Sequence, residues 1–205
     1  MKFYLSSFKI GNEGKKLKGL VKNKKIGYIP NGMDFSEATL ENREKLISYN
    51  LNNLRQLELE PEVLNLRNYF GKPNELAKKL DELKAVWISG GNVFVLRQAM
   101  KLSGFDRYVQ THLDKNFVYA GYSAAICVLC ENLKPLKIVD KSEDFPYQEI
   151  QKTIWKGLGI LTYTLLPHYK SDHPETEVIS KAVQYCIENN IPYKTLKDGE
   201  VLILE

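Results

Sequence analysis

Cysteine and histidine are scarce in this chain, with three of each among 205 residues. Three cysteines cannot all pair within one chain. Free thiols at Cys127, Cys130 and Cys186 suit a reducing compartment, and a cytoplasmic location is expected. Cys127 and Cys130 form a C-x-x-C, but on an apolar stretch with no second cysteine pair and no histidine nearby in sequence. They read as small buried hydrophobes, and no metal site is expected. Long hydrophobic runs are missing too: none approaches the roughly 18 residues of a membrane span. Met1–Ser7 lacks the long apolar region of a signal peptide and reads as a first strand. No excess of one charge sign stands out, since 29 Lys+Arg against 25 Asp+Glu leave a net charge of +4. The surplus gathers in Lys15, Lys16, Lys18, Lys22, Lys24 and Lys25 without interleaved aromatics, which describes a solvated helix face. Neither a nucleic-acid nor a membrane partner is expected. With no repeat, low-complexity tract or linker, residues 1–205 read as one domain.

What the chain does have is a regular alternation of apolar strands and amphipathic helices. Strands are expected at Lys2–Ser7, Lys25–Pro30, Glu62–Leu66, Ala85–Ser89, Asn116–Gly121 and Thr164–Tyr169. Between them lie helices over Lys15–Lys22, Glu37–Leu57 (with Ser36 as cap), Pro73–Leu80, Val93–Leu102 and Phe105–Leu113, and Pro174–Glu188 follows. A short strand is expected at Leu136–Val139. Ile191–Leu196 and Val201–Leu204, joined by Asp198-Gly199, read as a closing hairpin. This pattern predicts an α/β fold with a mostly parallel sheet covered on both faces, and ligands then sit beyond the carboxyl ends of the strands.

One stretch carries the chemistry. Val118-Tyr119-Ala120-Gly121-Tyr122-Ser123-Ala124-Ala125-Ile126-Cys127 reads as a strand, a sharp bend at a serine, and an apolar helix. Such a turn lifts the hydroxyl clear of the sheet and aims the N–H of Ala124 where an oxyanion would form. Small neighbours are needed because helix and strand backbones approach closely there. A serine hydroxyl needs a base. His112 lies mid-helix and His173 in a polar loop; His168 ends an apolar strand at the same sheet edge and is the preferred base, with His173 the alternative. Gly90-Gly91-Asn92 follows another strand at that edge.

Three motifs in the same order resemble the dipeptidase E group of serine peptidases, family S51, which hydrolyse aspartyl dipeptides. They are Ile88-Ser89-Gly90-Gly91-Asn92-Val93-Phe94, the elbow Gly121-Tyr122-Ser123-Ala124-Ala125, and Leu166-Pro167-His168-Tyr169. The resemblance implies a three-layer sandwich of the class I glutamine amidotransferase type and a cofactor-independent hydrolase of small peptides. It implies Ser123 as nucleophile, His168 as base, and an aspartate some fifteen to seventeen residues past the serine. Asp140 falls there, with Glu131 and Asp144 as alternatives. The N–H groups of Gly91 and Ala124 would hold the oxyanion, with Gly90 and Asn92 beside the substrate. Ala125 stands where the family's elbow pattern, G-x-S-A-G-A, has glycine; ordinary helical geometry with room for its methyl is expected. Aspartyl selectivity needs a cation, for which Arg97, Lys141 and Lys170 are candidates. Related hydrolases of aspartate-rich polymers, the cyanophycinases, and a non-catalytic binding protein on the same scaffold are the rival readings. The oligomeric state is left open.

Overall fold

Two apolar faces on each central strand dictate the layering. In β5 (Val118–Tyr122), Tyr119 points to one side of the sheet while Val118, Ala120 and Tyr122 point to the other. In β4 (Ala85–Ile88), Val86 and Ile88 pack one way, Ala85 and Trp87 the other. This is the pattern of parallel strands buried on both faces. The computed structural model describes residues 1–205. Its main sheet adds β1 (Lys2–Ser6), β2 (Lys25–Ile29), β3 (Glu60–Val63) and β8 (Val201–Leu204), in the order β3-β2-β4-β5-β1-β8. All neighbours are parallel except β8, which runs antiparallel to β1. Pro61 sits in β3, an edge strand, where a missing ladder donor costs least.

Helices α1 (Gly14–Leu20) and α2 (Leu40–Gln56) cover one face through Leu17 and Leu54. The other face, with the larger core, takes α3 (Pro73–Leu83), α4 (Val93–Ser103), α5 (Phe105–Thr111), α6 (Ala124–Cys127) and α7 (Thr176–Glu188). Three layers result, as the alternation predicted. No helix is long and apolar enough to cross a membrane.

Three local expectations give way. The cap of α2 is Thr39, whose hydroxyl accepts the Asn42 N–H at 3.2 Å. Lys134–Ile138 forms a 3₁₀ turn where a strand was expected. Most consequentially, the closing hairpin does not exist. β7 (Tyr193–Thr195) pairs in parallel with β6 (Thr164–Leu166) in a small separate sheet, while β8 pairs with β1. The Asp198-Gly199 segment therefore crosses from one sheet to the other, and that crossing passes the candidate site.

Candidate active site

The register of the central strands gathers the site. Leu5 and Ile88 both lie opposite Gly121, so the carboxyl ends of β1, β4 and β5 meet at one edge. Ser123 leaves β5 with φ 52° and ψ −117°, a conformation rare for a side-chain-bearing residue, and α6 begins at once. Its N–H donates to Ser7 O at 3.2 Å, and its carbonyl accepts from Ile126 and Cys127 at 2.9 and 3.1 Å. The turn is thus held by the strand on one side and the helix on the other. The N–H of Ala124 opens the helix and has no intrahelical acceptor. Ala125 is fully buried and helical without positive φ. A Cβ on Gly121 would stand 2.7 Å from the Ala125 methyl and 2.6 Å from Ile88 O. The glycine before the serine makes room for the alanine after it.

His168 also has positive φ, at 60°, and its ring is 1% exposed. The carboxylate on its Nδ1 is Asp198, at 2.7 Å. This corrects the expectation of Asp140. Nδ1 therefore carries the proton, and Nε2 is left with its lone pair. Burial holds the imidazole below its ordinary value; the Asp198 bond opposes that and the neighbouring His173 adds to it. Ser7, which the sequence offered only as the end of a strand, ties the parts together. Its hydroxyl donates to Asp198 Oδ1 at 2.9 Å and accepts the His168 N–H at 2.9 Å, while its carbonyl holds Ser123.

Asp140 instead accepts the Val93 N–H at 2.8 Å, at the start of α4. Burial pushes its carboxyl up to about 7, against the pull of the Val93 bond, with the nearby Glu175 raising it further. Of the alternatives, Asp144 accepts from Ser36 N–H and Oγ at 2.9 and 3.1 Å, and exposed Glu131 lies elsewhere on the surface. The Gly90-Gly91-Asn92 loop packs on the elbow, where a Cβ on Gly90 would stand 3.0 Å from Ser123 Cβ. Gly91 has φ 122°, a Cβ there would lie 2.2 Å from Gly32 O, and its N–H has no protein acceptor. Only glycine fits. Asn92 caps α4 by accepting the Phe94 and Val95 N–H groups at 2.8 and 3.1 Å, and donates to Lys141 O at 2.9 Å.

Ser123, His168, Asp140, Gly90, Gly91 and Asn92 all line one cavity of about 420 Å³, with Glu37, Lys141, Asp144, His173 and Glu175. Ser123 Oγ and His168 share its wall without a direct hydrogen bond. His173 stacks on His168 with centroids 3.7 Å apart and planes 7° apart. Its Nδ1 accepts the Glu175 N–H at 3.2 Å. His168, His173 and Asp198 offer three donor atoms within 4.8 Å of one another. Yet face-to-face imidazoles direct their lone pairs in parallel planes, and His168 Nδ1 is already spent on Asp198. The cysteines offer no better donors: burial pushes Cys130 up to about 12 and Cys127 well above its usual value.

The model of peptidase family S51 matches residues 11–205. The chain belongs to peptidase family S51. It is 22% identical over 130 residues to an uncharacterized peptidase of Pasteurella multocida (strain Pm70), covering 63% of this chain and 60% of that one. It is 26% identical over 133 residues to peptidase E of Streptomyces coelicolor, covering 62% and 51%. The matched part of the chain spans about half to three-fifths of the length of these curated relatives. The fold is that of a Listeria monocytogenes EGD-e structure named for peptidase E, with a TM-score of 0.74 at 20% identity over 100% of this chain and 98% of that one. A peptidase structure from an acI-B1 actinobacterium gives a TM-score of 0.69 at 14% identity, over 100% and 83%.

Proposed function

We propose that this S51 member is a serine peptidase hydrolysing dipeptides or similarly small peptides, with Ser123 as nucleophile, His168 as base and Asp198 as the acid that orients it. The observation that carries the reading is an imidazole tied through Nδ1 to a carboxylate at 2.7 Å and lining the same cavity as a serine on a strained strand-to-helix turn. His168 Nε2 takes the Oγ proton as Oγ attacks the scissile carbonyl carbon. The N–H groups of Gly91 and Ala124 receive the resulting oxyanion, and the imidazolium returns its proton to the leaving amine. Water then repeats the sequence on the acyl-enzyme. Asp198 fixes the tautomer and stabilises the imidazolium throughout. Serine–histidine bonds of this kind commonly tighten only when substrate is in place.

A cavity of about 420 Å³ suits a ligand of dipeptide size. The family resemblance implies an aspartyl residue, but Lys141 is the only lysine or arginine on the wall, and the other charges there are of the opposite sign. The test is a fluorophosphonate probe read by mass spectrometry. Labelling at Ser123 that disappears in Ser123→Ala supports the peptidase; an unlabelled protein supports the non-catalytic alternative. A dipeptide panel beside an aspartate-rich polymer separates the two hydrolases.

A further inference from the structure

The charge of the cavity wall bears on the substrate itself. We infer that the site selects a peptide whose first residue is cationic, a lysyl or arginyl residue with its free α-ammonium, and disfavours an aspartyl one. The inference rests on the peptidase reading for the identity of the site, and on the charges of the wall for the sign of its ligand.

Four carboxylates line the cavity, those of Glu37, Asp140, Asp144 and Glu175, against one lysine, Lys141. Lys141 is already paired: its Nζ lies 3.7 Å from Glu37, on an exposed rim where water and salt weaken its reach. No lysine or arginine stands within 4.0 Å of the carboxylate of Asp140, Asp144 or Glu175. Each retains acceptor capacity: Asp140 and Asp144 hold hydrogens on one oxygen only, and Glu175 lies 3.9 Å from His168 Nε2.

The cations that could have offset them are committed elsewhere. Arg97 is buried against Asp106 at 3.0 Å and Lys156 O at 2.9 Å, outside the cavity. Lys170 lies over the Tyr169 ring, also outside it. Arg43 and Arg67 both close on Asp34, which also accepts from Tyr147. An aspartyl side chain entering here would add another carboxylate beside those of Asp144 and Glu175, which no cation offsets, and beside Asp140, whose burial already favours the neutral form. A lysyl or arginyl side chain would supply the missing counter-charge.

Binding and turnover test the inference separately. Calorimetry of Ser123→Ala with Lys-Leu, Ala-Leu and Asp-Leu reads the wall without chemistry. Lys-Leu should bind at least about tenfold tighter than Asp-Leu, with Ala-Leu between, and added salt should narrow the gap. The unmodified protein should hydrolyse the three in the same order. Asp144→Asn and Glu175→Gln should each shrink the Lys-Leu to Asp-Leu ratio, whereas an effect passing only through His168 would slow both dipeptides alike. Equal or tighter binding of Asp-Leu overturns the inference, even if Ser123 proves to be a working nucleophile. A Lys-Leu preference in binding with no cleavage and no fluorophosphonate labelling upholds the charge reading and overturns the peptidase one.

Discussion

At Ala125 one methyl group decides whether the elbow can hold. The family pattern has glycine there, and the methyl of Ala125 lies against Gly121, the glycine this chain shares with that pattern, where a Cβ would stand 2.7 Å from it. Ala125→Gly should therefore change hydrolysis little and lower stability by about 1 kcal/mol, the usual cost of glycine in a helix. Denaturant melts of the two proteins check it; a large gain in activity would mean the methyl displaces the turn. Asp140 gives a second prediction, through pH. Its native value of about 7 against an ordinary 3.8 means that the fold favours the neutral form. Its stabilising contribution is complete below about pH 4 and is lost as pH rises through about 7. Asp140→Asn, which keeps an acceptor for the Val93 N–H, should raise the melting temperature relative to the parent at pH 8 and not at pH 4. The free-energy gain is at most about 4 kcal/mol. Equal shifts at both pH values would contradict the raised value. For His168 the sign is reversed: burial favours the neutral base, so the acid limb of kcat/KM should fall below about pH 6.5.

At the scale of elements, the crossing between the two sheets governs what could be foreseen. The parallel strands were legible because their apolar runs are short, continuous and bounded by proline or glycine, and the elbow because its small residues sit between such a run and a helix. The carboxylate partner of His168 was not. Asp198-Gly199 between two apolar stretches is the strongest short-range hairpin signal a sequence offers, and that reading placed Asp198 in a solvated turn. Local turn chemistry was outweighed by the pairing of β7 with β6 and of β8 with β1, which no local pattern announces. Ser7 was hidden for a related reason: its hydrogen bonds reach Ser123, His168 and Asp198, all distant in sequence. Ser7→Ala would strip one hydrogen bond from Asp198 and leave the buried His168 N–H unpaired, at a cost of about 1–3 kcal/mol. As a positioning residue it should lower kcat more than it raises KM and displace the acid limb of the pH profile. Ser7→Thr should restore part of both, and loss of stability with an unchanged profile would show a purely structural role.

At the scale of the whole molecule, a three-layer fold brings the carboxyl ends of β1, β4 and β5, the end of β6 and the crossing loop before β8 to one cavity. The central claim is that Asp198, arriving by that crossing, serves His168, and that Asp140 does not. It is tested most directly by the rate of fluorophosphonate labelling of Ser123 in the parent, Asp198→Asn and Asp140→Asn proteins, since the probe needs no knowledge of the substrate. Asp198→Asn should slow labelling by orders of magnitude, toward the roughly 10⁴ known for loss of such an aspartate, and far more than Asp140→Asn does. Slower labelling in Asp140→Asn than in Asp198→Asn would contradict it.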